Sequence, residues 1–164
     1  MKILDHRQIA QKIKRLAYEI VENNFGEEEI ILAGINNNGT YFASLLNAEL
    51  KGIAKININQ TQIRLNPADP LSAPVEIDLS AEELSGKVVI VVDDVANTGR
   101  TIFYACKPIL ETLPKKVEAA VLVDRTHKSF PISVDYFGLS LATTLRENID
   151  VQIKDVEEFA VFLN

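Results

Sequence analysis

The stretch from Val88 to Thr101, VVIVVDDVANTGRT, constrains this chain more than any other part of it. It opens on five consecutive apolar residues, four of them valines, and runs directly into Asp93 and Asp94. A run this short and this β-branched predicts a strand, and the lack of polar alternation predicts burial on both faces. Strands of that kind belong to parallel sheets covered by helices, because a parallel pair needs a crossover connection and the crossover is usually helical. Ligands of such sheets bind outside the carboxyl ends of the strands. The two acids and the Asn-Thr-Gly-Arg-Thr that follows them stand at such an end.

The rest of the chain supplies the helices. Asp5 is a helix N-cap with Gln8 as its capping-box partner, and Ile9, Ile13, Leu16 and Ile20 recur on one helical face. This helix is predicted to stop near Asn23–Gly26. Ile30–Ala33 reads as a buried strand, Gly34–Thr40 as a turn-rich loop, and Phe42 to Leu50 as a second amphipathic helix ended by Gly52. Ile53–Asn59 and Thr61–Leu65 read as two strands. Pro67, Pro70 and Pro74 turn Asn66–Pro74 into an exposed loop, since proline removes an amide donor from helix and sheet alike. Val75–Ile77 reads as a short strand and Ala81–Ser85 as a turn of helix. A helix from about Arg100 should kink at Pro108, and strands are expected at Val117–Val123, Val134–Phe137, Val151–Ile153 and Phe159–Leu163. The result is one α/β domain, a twisted parallel sheet flanked by helices, which suits 164 residues.

Composition narrows the function classes. Lys and Arg number 17 against 23 Asp and Glu, a net charge of −6, which argues against RNA or DNA as the main partner. Cys106 is the only cysteine, so neither an internal disulfide nor a cysteine-based zinc site is available. The opening MKILDHRQIAQK lacks the apolar stretch of a secretory signal, and no apolar run is long enough to span a bilayer. A cytoplasmic protein without a membrane partner is expected.

Two segments at strand ends carry chemistry, Gly34–Thr40 and Asp93–Arg100. In the second, successive backbone N–H groups and a helix N-terminus make an anion site. Gly99 lets the backbone approach the anion, and the hydroxyls of Thr98 and Thr101 add donors. The stretch is not a GxxxxGK[ST] loop, so triphosphate cleavage by that route is not expected. Adjacent carboxylates repel each other and an incoming phosphate unless polar hydrogens or a cation balance them. Ribose hydroxyls supply the first and Mg2+ held by a diphosphate the second. Asp93 and Asp94 as simple turn caps is the plainer alternative, but the order of apolar strand, two acids and Thr-Gly-x-Thr favours a sugar phosphate.

Val89–Thr101 resembles the diphosphoribose-binding motif of type I phosphoribosyltransferases: four apolar residues, two acids, then a run ending Thr-Gly-x-Thr. Similarity to the pyrimidine-operon regulator/uracil phosphoribosyltransferase branch extends through Ile3–Asp5, Ile31–Ile35, Val121–Lys128 and Pro131–Gly138. The resemblance implies the phosphoribosyltransferase type I fold, a five-stranded parallel core with a small hood. It implies transfer of a 5-phosphoribosyl group from phosphoribosyl diphosphate to a nucleobase, uracil-like for this branch, with release of pyrophosphate. By position, Asp93 and Asp94 would act at the ribose and organise Mg2+, and Ala96, Asn97, Thr98, Gly99, Arg100 and Thr101 would cradle the 5′-phosphate. Asn36, Asn37, Asn38 and Gly39 correspond to the pyrophosphate loop, and Asp124, Arg125 and His127 to the base pocket. A homodimer or larger homo-oligomer is implied as well.

The chain departs from this pattern in its charges. The branch carries basic residues in the pyrophosphate loop, as in Gly-Ile-Lys-Thr-Arg-Gly, whereas Gly34-Ile35-Asn36-Asn37-Asn38-Gly39 carries none. Arg64 is the only Arg or Lys between Thr61 and Glu82. A non-catalytic binder of phosphoribosyl diphosphate or a nucleotide is therefore the alternative to a working transferase. Among other residues, His6 reads as solvated, and His127 as equally suited to surface and ligand. Tyr136 and Phe137 read as core, Phe103, Tyr104 and Cys106 as packing for the helix after the phosphate loop, and Arg125 as either a ligand contact or a partner of Asp124. No residue spacing suggests zinc.

Overall fold

The computed structural model describes residues 1–164. In chain order the elements are β1 (Lys2–Leu4), α1 (His6–Asn23), β2 (Glu29–Ile35), α2 (Asn36–Ile53), β3 (Asn57–Arg64), β4 (Glu76–Ile77) and α3 (Ala81–Leu84). There follow β5 (Val88–Ala96), α4 (Arg100–Ala105), α5 (Lys107–Leu110), β6 (Lys116–Arg125), β7 (Tyr136–Leu141), β8 (Ile149–Gln152) and β9 (Ala160–Leu163). The main sheet has the order β4-β3-β2-β5-β6-β7. Five of its strands run parallel and β4 adds an antiparallel edge to β3.

Burial of the central strand on both faces holds. Val88, Ile90 and Val92 point into a core shared with α1 and α2, where Ile9, Leu16, Phe42 and Leu46 meet them. Val89 and Val91 point the other way, towards Ile102, Ala105 and Ile109 of α4 and α5. Each fully buried aliphatic side chain of this kind stabilises the fold by about 1.5–3 kcal/mol. Asp5 caps α1 with Gln8 closing the box, at 2.9 Å in both directions. The chain breaks between α4 and α5 at Cys106, two residues before Pro108, whose missing amide cannot continue the ladder.

Four secondary-structure expectations are corrected. Gly34–Thr40 is not a loop: Gly34 and Ile35 end β2, and α2 begins at Asn36 without an intervening turn. Ile53–Asn59 is not a strand either. Ile53 closes α2, and one uninterrupted strand, β3, covers Asn57–Arg64, its polar Gln60 satisfied by Thr40 O at 3.1 Å and Ser44 Oγ at 2.9 Å. The strand expected at Val134–Phe137 starts at Tyr136, because Asp135 occupies the entry by exchanging bonds with Ala119, amide to carbonyl at 3.0 Å and amide to carboxylate at 2.8 Å. Asp93–Ala96, read as loop, extends β5 in register with Val121–Asp124 of β6.

A second sheet, β1-β9-β8, is antiparallel and joins the chain's two ends. The Met1 amino group donates to Leu163 O at 2.6 Å. His6 is engaged here and not simply solvated: its Nδ1 accepts from the Phe159 amide at 3.0 Å and its ring lies 4.7 Å from that of Phe159. This small sheet is the hood, and its Ile149 reaches the carboxyl end of the main sheet.

Candidate functional site

A cleft of about 460 Å³ opens over the carboxyl ends of β2 and β5. Its floor is made by a forced close approach. A Cβ on Gly39 would lie 2.5 Å from Val92 O, and one on Gly34 would collide with the Thr40 backbone. Only glycines let α2 start directly against β5. Asn36 makes the turn with φ +50°, a left-handed conformation that Asn tolerates better than most residues. Its amide then clamps the end of β3, donating Nδ2 to Leu65 O at 2.9 Å and accepting the Leu65 amide on Oδ1 at 3.1 Å.

The three asparagines therefore do different work. Asn36 is spent on the backbone of Leu65. Asn38 donates Nδ2 to Asp94 Oδ2 at 3.2 Å and orients that carboxylate. Asn37 is exposed and lines the cleft. The N-terminus of α2, an 18-residue helix, has no side-chain cap. Its first amides are open to a ligand, with the equivalent of roughly half a positive charge behind them.

Asp93 and Asp94 stand opposite these amides. Asp93 Oδ1 accepts the Asp94 amide and Asp94 Oδ1 accepts the Val95 amide, each at 2.9 Å. Burial first, and the neighbouring charge of Asp94 second, hold the Asp93 carboxyl well above the usual carboxylate range. A cation or hydroxyl donors arriving in the cleft would relieve both causes. No cation lines the cleft; Asp93 and Asp94 are its only charged side chains. No three His, Cys, Asp or Glu side chains converge anywhere in the molecule. Mg2+ asks for less, since one or two carboxylates and phosphate oxygens complete its shell. This donor set fits Mg2+ delivered with a diphosphate.

Beyond the acids the chain wraps a concavity of about 50 Å³ with the residues from Val95 to Ile102. Gly99, at φ +85°, turns the chain into α4 and leaves that helix without a side-chain cap. The Thr98 carbonyl accepts the amides of Ser129 at 2.9 Å and Phe130 at 3.2 Å, so the segment after β6 buttresses the turn. Asn97 and Thr101 face the main cleft. Arg100 points elsewhere: its Nη2 donates to Pro67 O at 2.6 Å and pins the proline-rich loop, with Pro67 on the cleft wall.

Asp124, Arg125 and His127 lie at and just past the end of β6, outside the lining of the acidic cleft. Asp124 pairs with Lys128 at 2.6 Å and not with Arg125. Lys128 also donates to Asn97 O at 3.0 Å and to Arg125 O, which ties this segment to the Gly99 turn. Arg125 donates to Thr144 O, and His127 is exposed. Tyr136 is core, with its hydroxyl donated to Glu118 at 2.9 Å, whereas Phe137 and Phe103 are partly exposed. Sequence reasoning missed Pro67, Ile149 and the clamp made by Lys128. The i, i+4 spacing of Asp124 and Lys128 was the one available signal.

Comparison with known proteins agrees with this geometry. The family model for the phosphoribosyl transferase domain matches residues 1–157. The chain is 33% identical over 162 residues to the bifunctional protein PyrR of Macrococcus caseolyticus, covering 95% of this chain and 93% of the relative. It is 36% identical over 165 residues to PyrR of Clostridium acetobutylicum, covering 96% and 92%. Among solved structures, a hypoxanthine-guanine phosphoribosyltransferase of Bacillus anthracis superposes with a TM-score of 0.72 at 23% identity, covering 85% of this chain and 81% of the other. The hypoxanthine phosphoribosyl transferase of Trypanosoma cruzi gives 0.76 at 18%, covering 98% and 90%. Five parallel strands, a hood made from the chain's two ends and a double-aspartate strand end running into the Gly99 turn are thus the local expression of a shared fold, and the chain belongs to the phosphoribosyltransferase family.

Proposed function

We propose that this chain transfers a 5-phosphoribosyl group from phosphoribosyl diphosphate to a nucleobase, uracil-like, with release of pyrophosphate. One observation carries the reading: the double aspartate of β5, Asn97 and Thr101 on either side of the Gly99 turn, and the uncapped start of α2 line a single cleft. A ribose 5-phosphate has its phosphate met by the amides of Ala96–Thr101 and its hydroxyls by Asp93 and Asp94. When the base displaces the diphosphate, positive charge grows at the anomeric carbon. Fixed carboxylates nearby stabilise that charge more than they stabilise the ground state. Ribose hydroxyl donors and the cation that accompanies the diphosphate would favour the ionised form of Asp93, which burial and Asp94 otherwise oppose. Mg2+ bound with the diphosphate at Asp93 and Asp94 would supply charge neutralisation for the leaving group. The bond from Lys128 to Asn97 O supports a reading in which the neighbouring Asp124–Lys128 segment carries the acceptor's contacts. The same reading makes the protein a single-domain, cytoplasmic homo-oligomer.

The absence of any cation along the cleft supports a second reading, a binder of phosphoribosyl diphosphate or a nucleotide without turnover. A pyrophosphate-release assay with Mg2+ across the nucleobases separates the two. Turnover with a pyrimidine base is expected. Saturable binding with no release under any base would establish the second reading, and absence of both would remove both.

A further inference from the structure

The cleft lacks a cation, but one stands beside it. Arg64 is the last residue of β3, and the register Ile35↔Ile63 sets it level with Asn36, the first residue of α2. It lines a second cavity of about 520 Å³ that shares Asn36 and Asn37 with the acidic cleft. There the guanidinium is occupied. Nη1 and Nη2 reach the two oxygens of Asp78 at 2.9 and 2.6 Å, and Glu76, its register partner on β4, lies 3.6 Å away.

We infer that Asp78 and Glu76 form a clasp that holds Arg64 off the diphosphate subsite, and that a bound diphosphate takes Arg64 from them. The inference rests on the proposed binding of phosphoribosyl diphosphate and adds how its diphosphate half is recognised. Three features carry it. The other cations around the cleft are committed to structural partners: Arg100 to Pro67 O, and Lys128 to Asp124, Asn97 O and Arg125 O. The clasp is exposed, with about half of each side chain open to solvent (46% for Arg64, 50% for Asp78), so water and salt screen even its forked geometry and leave it open to exchange. A diphosphate offers the same planar fork several oxygens and more negative charge than either carboxylate of the clasp. Asn37 and the open amides of α2 border both cavities, so the exchanged guanidinium stays next to the anion it meets.

Calorimetric titration of the full chain with Mg2+ tests this, using phosphoribosyl diphosphate and ribose 5-phosphate as separate ligands. Arg64→Gln should weaken binding of the diphosphate ligand on the order of tenfold. Asp78→Asn, alone and with Glu76→Gln, should tighten it several-fold. Neither change should move the affinity for ribose 5-phosphate, which lacks the group that Arg64 meets. Equal affinities of wild type and variants for the diphosphate ligand would overturn the clasp, as would equal changes for both ligands. Failure of wild type to bind either ligand would instead overturn the binding reading on which it rests.

Discussion

The side chain of Asn36 binds the backbone of Leu65 in both directions, amide to carbonyl and amide to carboxamide, and so substitutes for the next rung of a β-ladder. The asparagine that opens the proposed pyrophosphate segment is a hinge pin between β2 and β3.

Replacing it separates two contributions. Asn36→Ala loses both bonds, leaves Leu65 with unpaired polar groups and keeps a left-handed residue; a loss of about 1–3 kcal/mol is expected from the bonds alone. Asn36→Gly loses the same bonds and relieves the backbone, and should be more stable than the alanine variant by about 1 kcal/mol. Denaturant unfolding of both variants checks the difference. Equal stabilities would mean that the φ of +50° carries no cost.

Glycines in α2 divide sharply. Gly39→Ala drives a methyl against Val92 O at 2.5 Å, a backbone atom in the middle of the sheet, and should destabilise by about 1–3 kcal/mol or more. Gly52→Ala meets nothing within 4 Å in the last turn of the same helix and should stabilise by about 0.5–1 kcal/mol. Thermal melts of the pair decide it, and the same sign for both would contradict the packing described.

Asp93 gives the molecule a pH signature. Its folded-state proton affinity is raised, mainly by burial and then by Asp94. The folded state therefore holds a proton that the unfolded state has released. This group's contribution to stability is fully present below about pH 4, the unfolded carboxyl range, and is lost as pH rises through the folded value. Asp93→Asn removes the ionisable group. It should raise Tm at neutral pH on the order of 2–4 °C, the worth of about 1 kcal/mol in a domain of this size. The gain should vanish under acid; a gain that persists there would assign it to another cause.

Arg100 ties α4 to Pro67. Arg100→Ala should leave the fold intact and speed hydrogen exchange at Ala68 and Leu71, whose amides are held within the loop by Asn66 and Asp69. Unchanged exchange would show that the proline-rich loop keeps its place without the arginine.

The parts of this fold that are legible in the sequence are those fixed by local chemistry. Val88–Val92 announces a strand buried on both faces, Asp5 with Gln8 announces a helix start, and Pro108 announces a break. The misread parts depend on partners far along the chain. Gly34–Thr40 has the composition of a turn, and its helical start follows from the Gly39 contact with β5, about fifty residues away. Asp93–Ala96 becomes strand because β6 continues beside it. Lys2–Leu4 pairs with Ala160–Leu163, and no local pattern reports that. At the candidate site the sequence indicates which residues carry chemistry but not their allegiances: Asn36 to Leu65, Asn38 to Asp94, Arg100 to Pro67, Lys128 to Asp124.

The central claim is that the end of β5 and the Gly99 turn hold a ribose 5-phosphate. Titration of phosphoribosyl diphosphate with Mg2+ against wild type, Asp94→Asn and Gly99→Val tests it most directly. The account predicts saturable binding by wild type and its loss in both variants. The valine adds strain at φ +85° and fills the turn facing Ile132, while Asp94→Asn removes the charge that Asn38 orients. Undiminished binding by a folded Gly99→Val protein, or no binding by wild type, would contradict it.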